Sequence, residues 1–234
     1  MDKAFSYAED VIKNSPYSLL KTEDYVAAWS GRYSSESVFD LEISDLDAGD
    51  REMFGYVVDP KGYAAVSNTK EFEDLINENP NDIRRNLLTA ASVEGRTYMN
   101  KYPGINGKTA VNNIRVIRLS DIYLIAAEAD IYVNGGSNAL KYINKIRTRA
   151  GANPLVGVPT INTVLDERAR ELCGEYARFY DLKRTGMLKD NSYLEEHHPD
   201  LAQFFKPEYA LRPISTNFTS TLEGGGGYYQ NPGY

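Results

Sequence analysis

Apolar positions recur every three to four residues in three stretches of the chain and every second residue in one, and that contrast sets out the expected elements. Ala4, Ala8 and Ile12 fall at i, i+4 and i+8, with Ser15 and Pro16 closing the segment, which predicts a helix with one narrow stripe of small residues. Residues 119 to 133 are apolar almost all the way round and predict a buried helix. Asn134, Gly135 and Gly136 make a turn; Ser137 is the expected cap of a second helix that turns Ala139, Leu140, Ile143, Ile146 and Ala150 inward. Gly151 then supplies a stop and Pro154 prevents resumption. Thr163 with Asp166 resembles a capping box opening a third helix, VLDERARELCGEYARFYDLKR, from 164 to 184.

Alternation marks SVFDLEI, residues 37 to 43, with Phe39, Leu41 and Ile43 on one face and Val38, Asp40 and Glu42 on the other, as in a half-buried strand. A second run, Phe54, Tyr56 and Val58, is expected to pair with it across DLDAGDRE. From GYAAVSNTK to KYPGINGKT the chain reads as loops with a short helix around EFEDLINE, and Tyr63, Tyr98 and Tyr102 are expected to be exposed or half-buried. Beyond Gly186 the pattern is irregular; four glycines at 224 to 227 are followed by Tyr228, Tyr229 and Tyr234, which are expected to pin the tail.

The predicted fold class is mainly α, with tetratricopeptide-like helix hairpins, long loops and a small β-hairpin. The hairpin over 119 to 150 has the length of one such repeat, with Ala126, Ala127 and Ala129 where the axes approach. Stacked repeats bury what one alone leaves open. The first helix reads as the second half of a repeat, so the chain is expected to begin within one.

Composition narrows the function classes. A formal net charge of -7 lacks the clustered cations that phosphate backbones require, so no nucleic-acid partner is expected. The single cysteine, Cys173, has neither a disulfide partner nor zinc-ligand neighbours. No secretory leader opens MDKAFSYAED, and no apolar run reaches the roughly 20 residues of a membrane span.

Candidate chemistry is sparse. Asp121 and Glu128, seven apart, share a helical face and could form an acid and base pair as in glycosidases. The alternative is ion pairing, with Arg118, Arg147 and Arg149 as the expected partners, since an unpaired buried carboxylate costs several kcal/mol. Glu167, Glu171, Arg178 and Asp181 fall within one arc of the third helix and suggest a salt-bridge network between helices. His197 and His198 are adjacent and point apart, which suits a solvated loop better than a metal. DLDAGD, residues 45 to 50, fails the calcium-loop spacing because Tyr56 stands where the bidentate glutamate belongs. No nucleophile elbow, P-loop or dinucleotide fingerprint is present, so no catalytic residue, cofactor or metal is expected. The 18 tyrosines and one tryptophan fit either a helical-repeat core or the aromatic platforms on which sugars stack.

IRVIRLSDIYLIAAEA, YINKIRTRAGA, ERARELCGEYARFYDLKR and YYQNPGY resemble, in order and spacing, the C-terminal half of the SusD/RagB family of outer-membrane nutrient-binding lipoproteins. SESVFDLEI and NPNDIRRN resemble the family's upstream patterns, so the similarity runs from about residue 4 to the end. Tyr176 departs from it where a glycine is usual, and Arg212 where an aromatic often precedes Pro-Ile.

The resemblance implies that 1–234 is a single C-terminal region whose N-terminal half, with signal and lipid anchor, lies outside this chain. It implies a surface-exposed outer-membrane protein that binds oligosaccharides without cleaving them and delivers them to a SusC-like TonB-dependent transporter. Peptide binding within a RagA-like uptake system is the nearest alternative, and a tetratricopeptide-type scaffold a further one. Ligand contacts in the family arise largely from loops; the residues chosen here are Trp29, Tyr33, Asp50, Arg51, Tyr56, Tyr63 and Asn68, with simple burial the alternative for Trp29.

Overall fold

Helix α1 (Asp2–Asn14) lays its small-residue stripe, with Ala8 buried and Phe5 and Ile12 beside it, against helix α3 (Leu119–Asn134). Alanines at 126, 127 and 129 are fully buried there, as the sequence predicts, because a side chain of one carbon lets the axes come close. A computed structural model describes residues 1–43, 66–90, 95–103, 112–215 and 230–233. Two compact units result, Met1–Arg178 and Phe179–Tyr234.

In the first unit α3 turns through Gly135 and Gly136, both left-handed, into helix α4 (Ala139–Arg149). Together they form the expected hairpin, with Tyr142, Ile143 and Ile146 inward, each buried aliphatic chain contributing roughly 1.5–3 kcal/mol. Ser137 does not cap α4. The residue before it is Asn138, and Asp130 reaches across the turn to accept from the Asn138 main chain at 2.7 Å and from the Asn134 amide at 2.7 Å. A carboxylate one turn from the end of α3 thus starts the next helix.

Gly151 ends α4 at φ +71, as predicted. A Cβ there would lie 2.8 Å from the Asn81 carbonyl oxygen, and Ile83 donates its main-chain N–H to Ala150 at 2.9 Å, so the 79–84 segment is seated directly on the helix terminus.

Helix α5 (Ile161–Leu172) begins one turn before the predicted box: Thr160 caps it, and Thr163 completes the reciprocal bonds that the sequence reading placed at Thr163 and Asp166. The long third helix is also divided. Gly174 and Tyr176 both take left-handed backbone (φ 78 and 58), and the chain resumes as helix α6 (Ala177–Arg184), whose first residues close the first unit.

Strand β1 (Ser37–Leu41) pairs antiparallel with β4 (Ile114–Arg118), with Asp40 opposite Arg115, Leu41 opposite Ile114 and irregular register on either side of Phe39. The expected partner, 54–58, lies outside the described residues. Helix α2 (Lys70–Asn77), capped by Thr69, matches the predicted EFEDLINE segment. The region read as loops also holds a short hairpin, β2 (Leu88–Ala90) with β3 (Thr97–Met99). Tyr98 and Tyr102 are buried rather than surface-facing: Tyr102, just past β3, meets Trp29 edge-on in the core that also holds Tyr25, Leu87 and Met99, and Tyr98 is buried within β3 itself.

The second unit is more regular than its composition suggests. Helix α7 (Asn191–His197) is started by Asp190, and His197 stacks on Tyr193 at 4.3 Å, so the histidine pair ends a helix instead of lying in a loop. A short helix α8 (Pro199–Ala202) follows. Gln230 bonds the main chain of Ile214 both ways, at 2.7 and 3.0 Å, and Asn231 donates to Arg212 O at 2.6 Å. Those amides fasten the tail; Tyr228, Tyr229 and Tyr234 lie outside the described residues.

Candidate functional site

Glu167 and Glu171, one turn apart on α5, are both wholly buried, and guanidinium groups from four directions meet them. Arg84, from the turn after α2, donates to Glu167 at 2.8 Å, to Glu171 at 3.0 Å and to Asp82 at 2.6 Å. Arg147 and Arg170 add contacts to Glu167 at 2.8 and 3.3 Å, and Arg149 and Arg118 to Glu171 at 2.5 and 2.6 Å. Burial by itself would raise both carboxyls; the surrounding guanidinium charges more than offset it, so Glu167 lies below, and Glu171 well below, the ordinary glutamate range. The same exchange, seen from the cation, holds Arg84 far above its ordinary value against its own burial.

The main chain of Glu171 is held as well. Lys101 and Arg118 each donate to its carbonyl oxygen at 2.6 Å and continue to Glu175, placing positive charge where the last turn of a helix exposes unpaired carbonyls. Arg118 also meets Glu36, whose other oxygen accepts from the Leu20 main chain at 2.9 Å. Five separated stretches, around 20, 36, 84, 118 and 149, are therefore tied to one face of α5.

Above this ionic layer sits Trp29. Its ring has Arg115 at 4.3 Å, Lys101 at 4.7 Å and Arg118 at 5.6 Å, while Tyr25 and Tyr102 meet it edge-on at 6.2 and 6.3 Å. Burial, together with the negative Glu175, pushes the Tyr102 hydroxyl far above the phenol range, so it stays protonated. The 28–33 segment is then sewn to the start of β4: Asn112 donates to Trp29 O at 2.8 Å, Arg115 to Ala28 O at 2.6 Å and Asn113 to Arg32 O at 3.0 Å.

The residues chosen from sequence scatter on this frame. Trp29 is 2% exposed and packs as core, the alternative left open for it, since cations and rings cover the indole. Tyr33 is 72% exposed, its hydroxyl 3.3 Å from Glu42. Asn68 is half-buried with its side chain occupied: it donates to Thr97 at 3.0 Å and accepts from the Cys173 thiol at 3.7 Å. That thiol is pushed up to about 12 by burial, which disfavours the thiolate form. Asp50, Arg51, Tyr56 and Tyr63, like DLDAGD, lie outside the described residues.

The carboxylates that raised the possibility of acid–base chemistry both have partners. Asp121 pairs with Arg168 at 2.6 Å, not with Arg118, Arg147 or Arg149, which turn to Glu36, Glu167 and Glu171 instead. The reason is the sheet: β4 aims Arg118 away from α3 toward α5. Glu128 is buried and partnered. Of the predicted arc, Glu167 and Glu171 carry the network, whereas Arg178 lies beyond the break and donates to Leu165 O at 3.0 Å. Glu36, Arg84 and Glu175 were not singled out from sequence. Glu167 and Glu171, four apart on a largely buried helix, signal that cations must come from elsewhere, but not which ones.

A hairpin of repeat type with its loops fastened through arginines to a following helix defines a helical-repeat scaffold. Residues 91–234 match the model of the SusD family, and the chain belongs to that family. It is 28% identical to SusD-like protein P25 of Formosa agariphila over 92% of this chain and 51% of that protein. A segment covering 35% of the chain, and 14% of the relative, is 42% identical to starch-binding protein SusD of Bacteroides thetaiotaomicron. Among solved structures, a putative sugar-binding protein from Bacteroides vulgatus superposes with a TM-score of 0.82 at 31% identity, covering 100% of this chain and 55% of that one. The chain thus spans about half the length of the relatives it matches along its whole extent.

Proposed function

We propose that this chain is the C-terminal region of a non-catalytic, surface-exposed outer-membrane lipoprotein that binds oligosaccharides and hands them to a SusC-like TonB-dependent transporter. The observation that carries the reading is the match of the entire chain to a putative sugar-binding protein, reinforced by the starch-binding relative. The ion network is consistent with it: the buried carboxylates are committed to guanidinium partners and hold loops in place, the work a binding scaffold asks of them. The lipid anchor and the remaining helices belong to the N-terminal half in this reading; no described helix of the chain is long and apolar enough to cross a membrane.

Ligand recognition then falls to the surface segments, with Tyr33 as an exposed platform for a pyranose face, Trp29 packed in the core beneath the 28–33 segment, and Asn68, Asp50, Arg51, Tyr56 and Tyr63 as the further proposed contacts. Calorimetric titration of the full-length protein with neutral oligosaccharides and with peptides tests the reading. Heat on sugar addition with no shortened product supports it; binding of peptides alone transfers the chain to peptide uptake, and cleavage of the sugar refutes the non-catalytic assignment.

A further inference from the structure

A groove of about 540 Å³ opens between the segment 19–23 and helix α4. Its size falls within the roughly 300–1,000 Å³ typical of small-ligand sites. Leu19 and Leu20 give it an apolar wall, Thr22 and Thr148 supply hydroxyls, and Lys21, Lys141 and Lys145 supply charge. Glu23 is the one acid among the lining residues, so the groove is positive on a chain whose net charge is -7.

Lys21 and Lys145 are not consumed by the fold, whereas Lys141 is shared with the Tyr142 ring and the field of Glu9. Lys141 and Lys145 stand four apart on the exposed side of α4, a spacing at which like charges repel and which a helix does not favour for its own sake. Among the described residues neither Lys21 nor Lys145 forms an ion pair, and Lys141 lies 5.4 Å over the Tyr142 ring. Arg149, also on the lining, differs: it is bound to Glu171, lies 3.5 Å from Glu36 and stacks on Tyr25 at 4.1 Å, so it contributes field and not contact.

We propose that this groove binds an acidic oligosaccharide, its leucines meeting a ring face and its lysines meeting carboxylate or sulfate groups. The inference rests on the glycan-binding reading and adds the charge of the ligand and a second contact region. A saccharide fits better than an acidic peptide, because α4 and the segment 19–23, which enters a short 3-10 turn at Thr22, form the walls and none of the described lining residues lies in a strand that could offer main-chain pairing.

The test titrates the full-length protein with an oligogalacturonate, a sulfated carrageenan oligosaccharide, neutral maltoheptaose and poly-L-glutamate, in low and in physiological salt. Carboxylated and sulfated sugars separate the two sources of negative charge. Binding of at least one acidic sugar is expected, weakened by salt because the Debye length shrinks to about 8 Å. The Lys141→Glu/Lys145→Glu variant should lose roughly tenfold in affinity for that sugar with an unchanged melting temperature. A Lys21→Gln/Lys145→Gln variant, which reverses no charge, should show a smaller loss and serves if the first does not fold. Binding of neutral but not acidic sugar, acidic binding indifferent to both variants, or equal affinity for poly-L-glutamate overturns the inference while leaving glycan binding intact. Binding of no sugar at all removes the glycan reading and this one with it.

Discussion

Arg84 and Glu167 stand 83 positions apart in sequence and meet at 2.8 Å with both side chains wholly buried. Removing one member of such a pair leaves the other's charge uncompensated, so Glu167→Ala is expected to cost about 3–5 kcal/mol. Arg147 and Arg170, which also face Glu167, would be left short of an acceptor and push the cost toward the upper end. Urea denaturation checks this: a midpoint within error of the parent would show that the cluster is not a stabilising unit.

Acid should unfold the first unit through the same residues. Glu167, Glu171 and Glu175 are held below the ordinary 4.5 in the folded state, so their contribution is fully present above that value and is lost as pH falls below it. Asp40 has the opposite sign. Burial raises it above the ordinary 3.8, with the positive Arg115 only partly countering, so its ionised form opposes folding at neutral pH. Both of its oxygens are buried without a hydrogen bond among the described residues. Asp40→Asn should therefore raise the melting temperature at pH 7 and make no difference near pH 3; a variant less stable at pH 7 would mean that the charge has a partner worth more than its burial.

Tyr176 occupies left-handed backbone, φ 58, where glycine pays no steric penalty. The strain is of order 1–2 kcal/mol for a residue with a Cβ, partly offset by the extra freedom glycine has when unfolded. Tyr176→Gly is thus expected to stabilise the chain by roughly 1 kcal/mol, read from the shift in denaturation midpoint. A fall in stability would show that the contacts of the tyrosine ring outweigh its backbone.

Trp29 and Tyr33, four residues apart, should separate stability from recognition. Trp29→Ala empties a filled site in the core and is expected to cost about 3–5 kcal/mol. Tyr33→Ala, on an exposed ring, should leave the melting temperature within a degree or so and weaken oligosaccharide binding by about tenfold, measured by calorimetry on the full-length protein. Unchanged affinity in Tyr33→Ala would remove that residue from the proposed binding surface.

How far the sequence discloses this arrangement depends on the range of the interaction. The α3–α4 hairpin was legible because its signals are local: alanines at helical spacing, two glycines at the turn, a third at the end. The pairing of β1 with β4 was not, since the two strands are joined only through a long intervening chain and the nearer run at 54–58 offered a plausible alternating partner. Burial of Glu167 and Glu171 could be inferred from their helical arc, but their partner Arg84 could not, because nothing local distinguishes it from Arg85, whose side chain instead reaches Asn77 and Pro80 O. The break after Leu172 was hidden by helix-favouring residues on both sides of Gly174. The identity of the binding residues stayed least legible, since aromatic side chains suit a core and an exposed surface equally: Trp29 is buried and Tyr33, four residues on, is exposed.

Gly151 makes the terminus of α4 a point of leverage. With the Asn81 carbonyl oxygen 2.8 Å from where a Cβ would stand, one added methyl is expected to push on the turn that carries Arg84, whose guanidinium meets both glutamates of α5. A single hydrogen atom at that position thus governs whether the charges buried some distance away can remain in register, which makes the smallest side chain in the unit a mechanical fulcrum for its most polar interior.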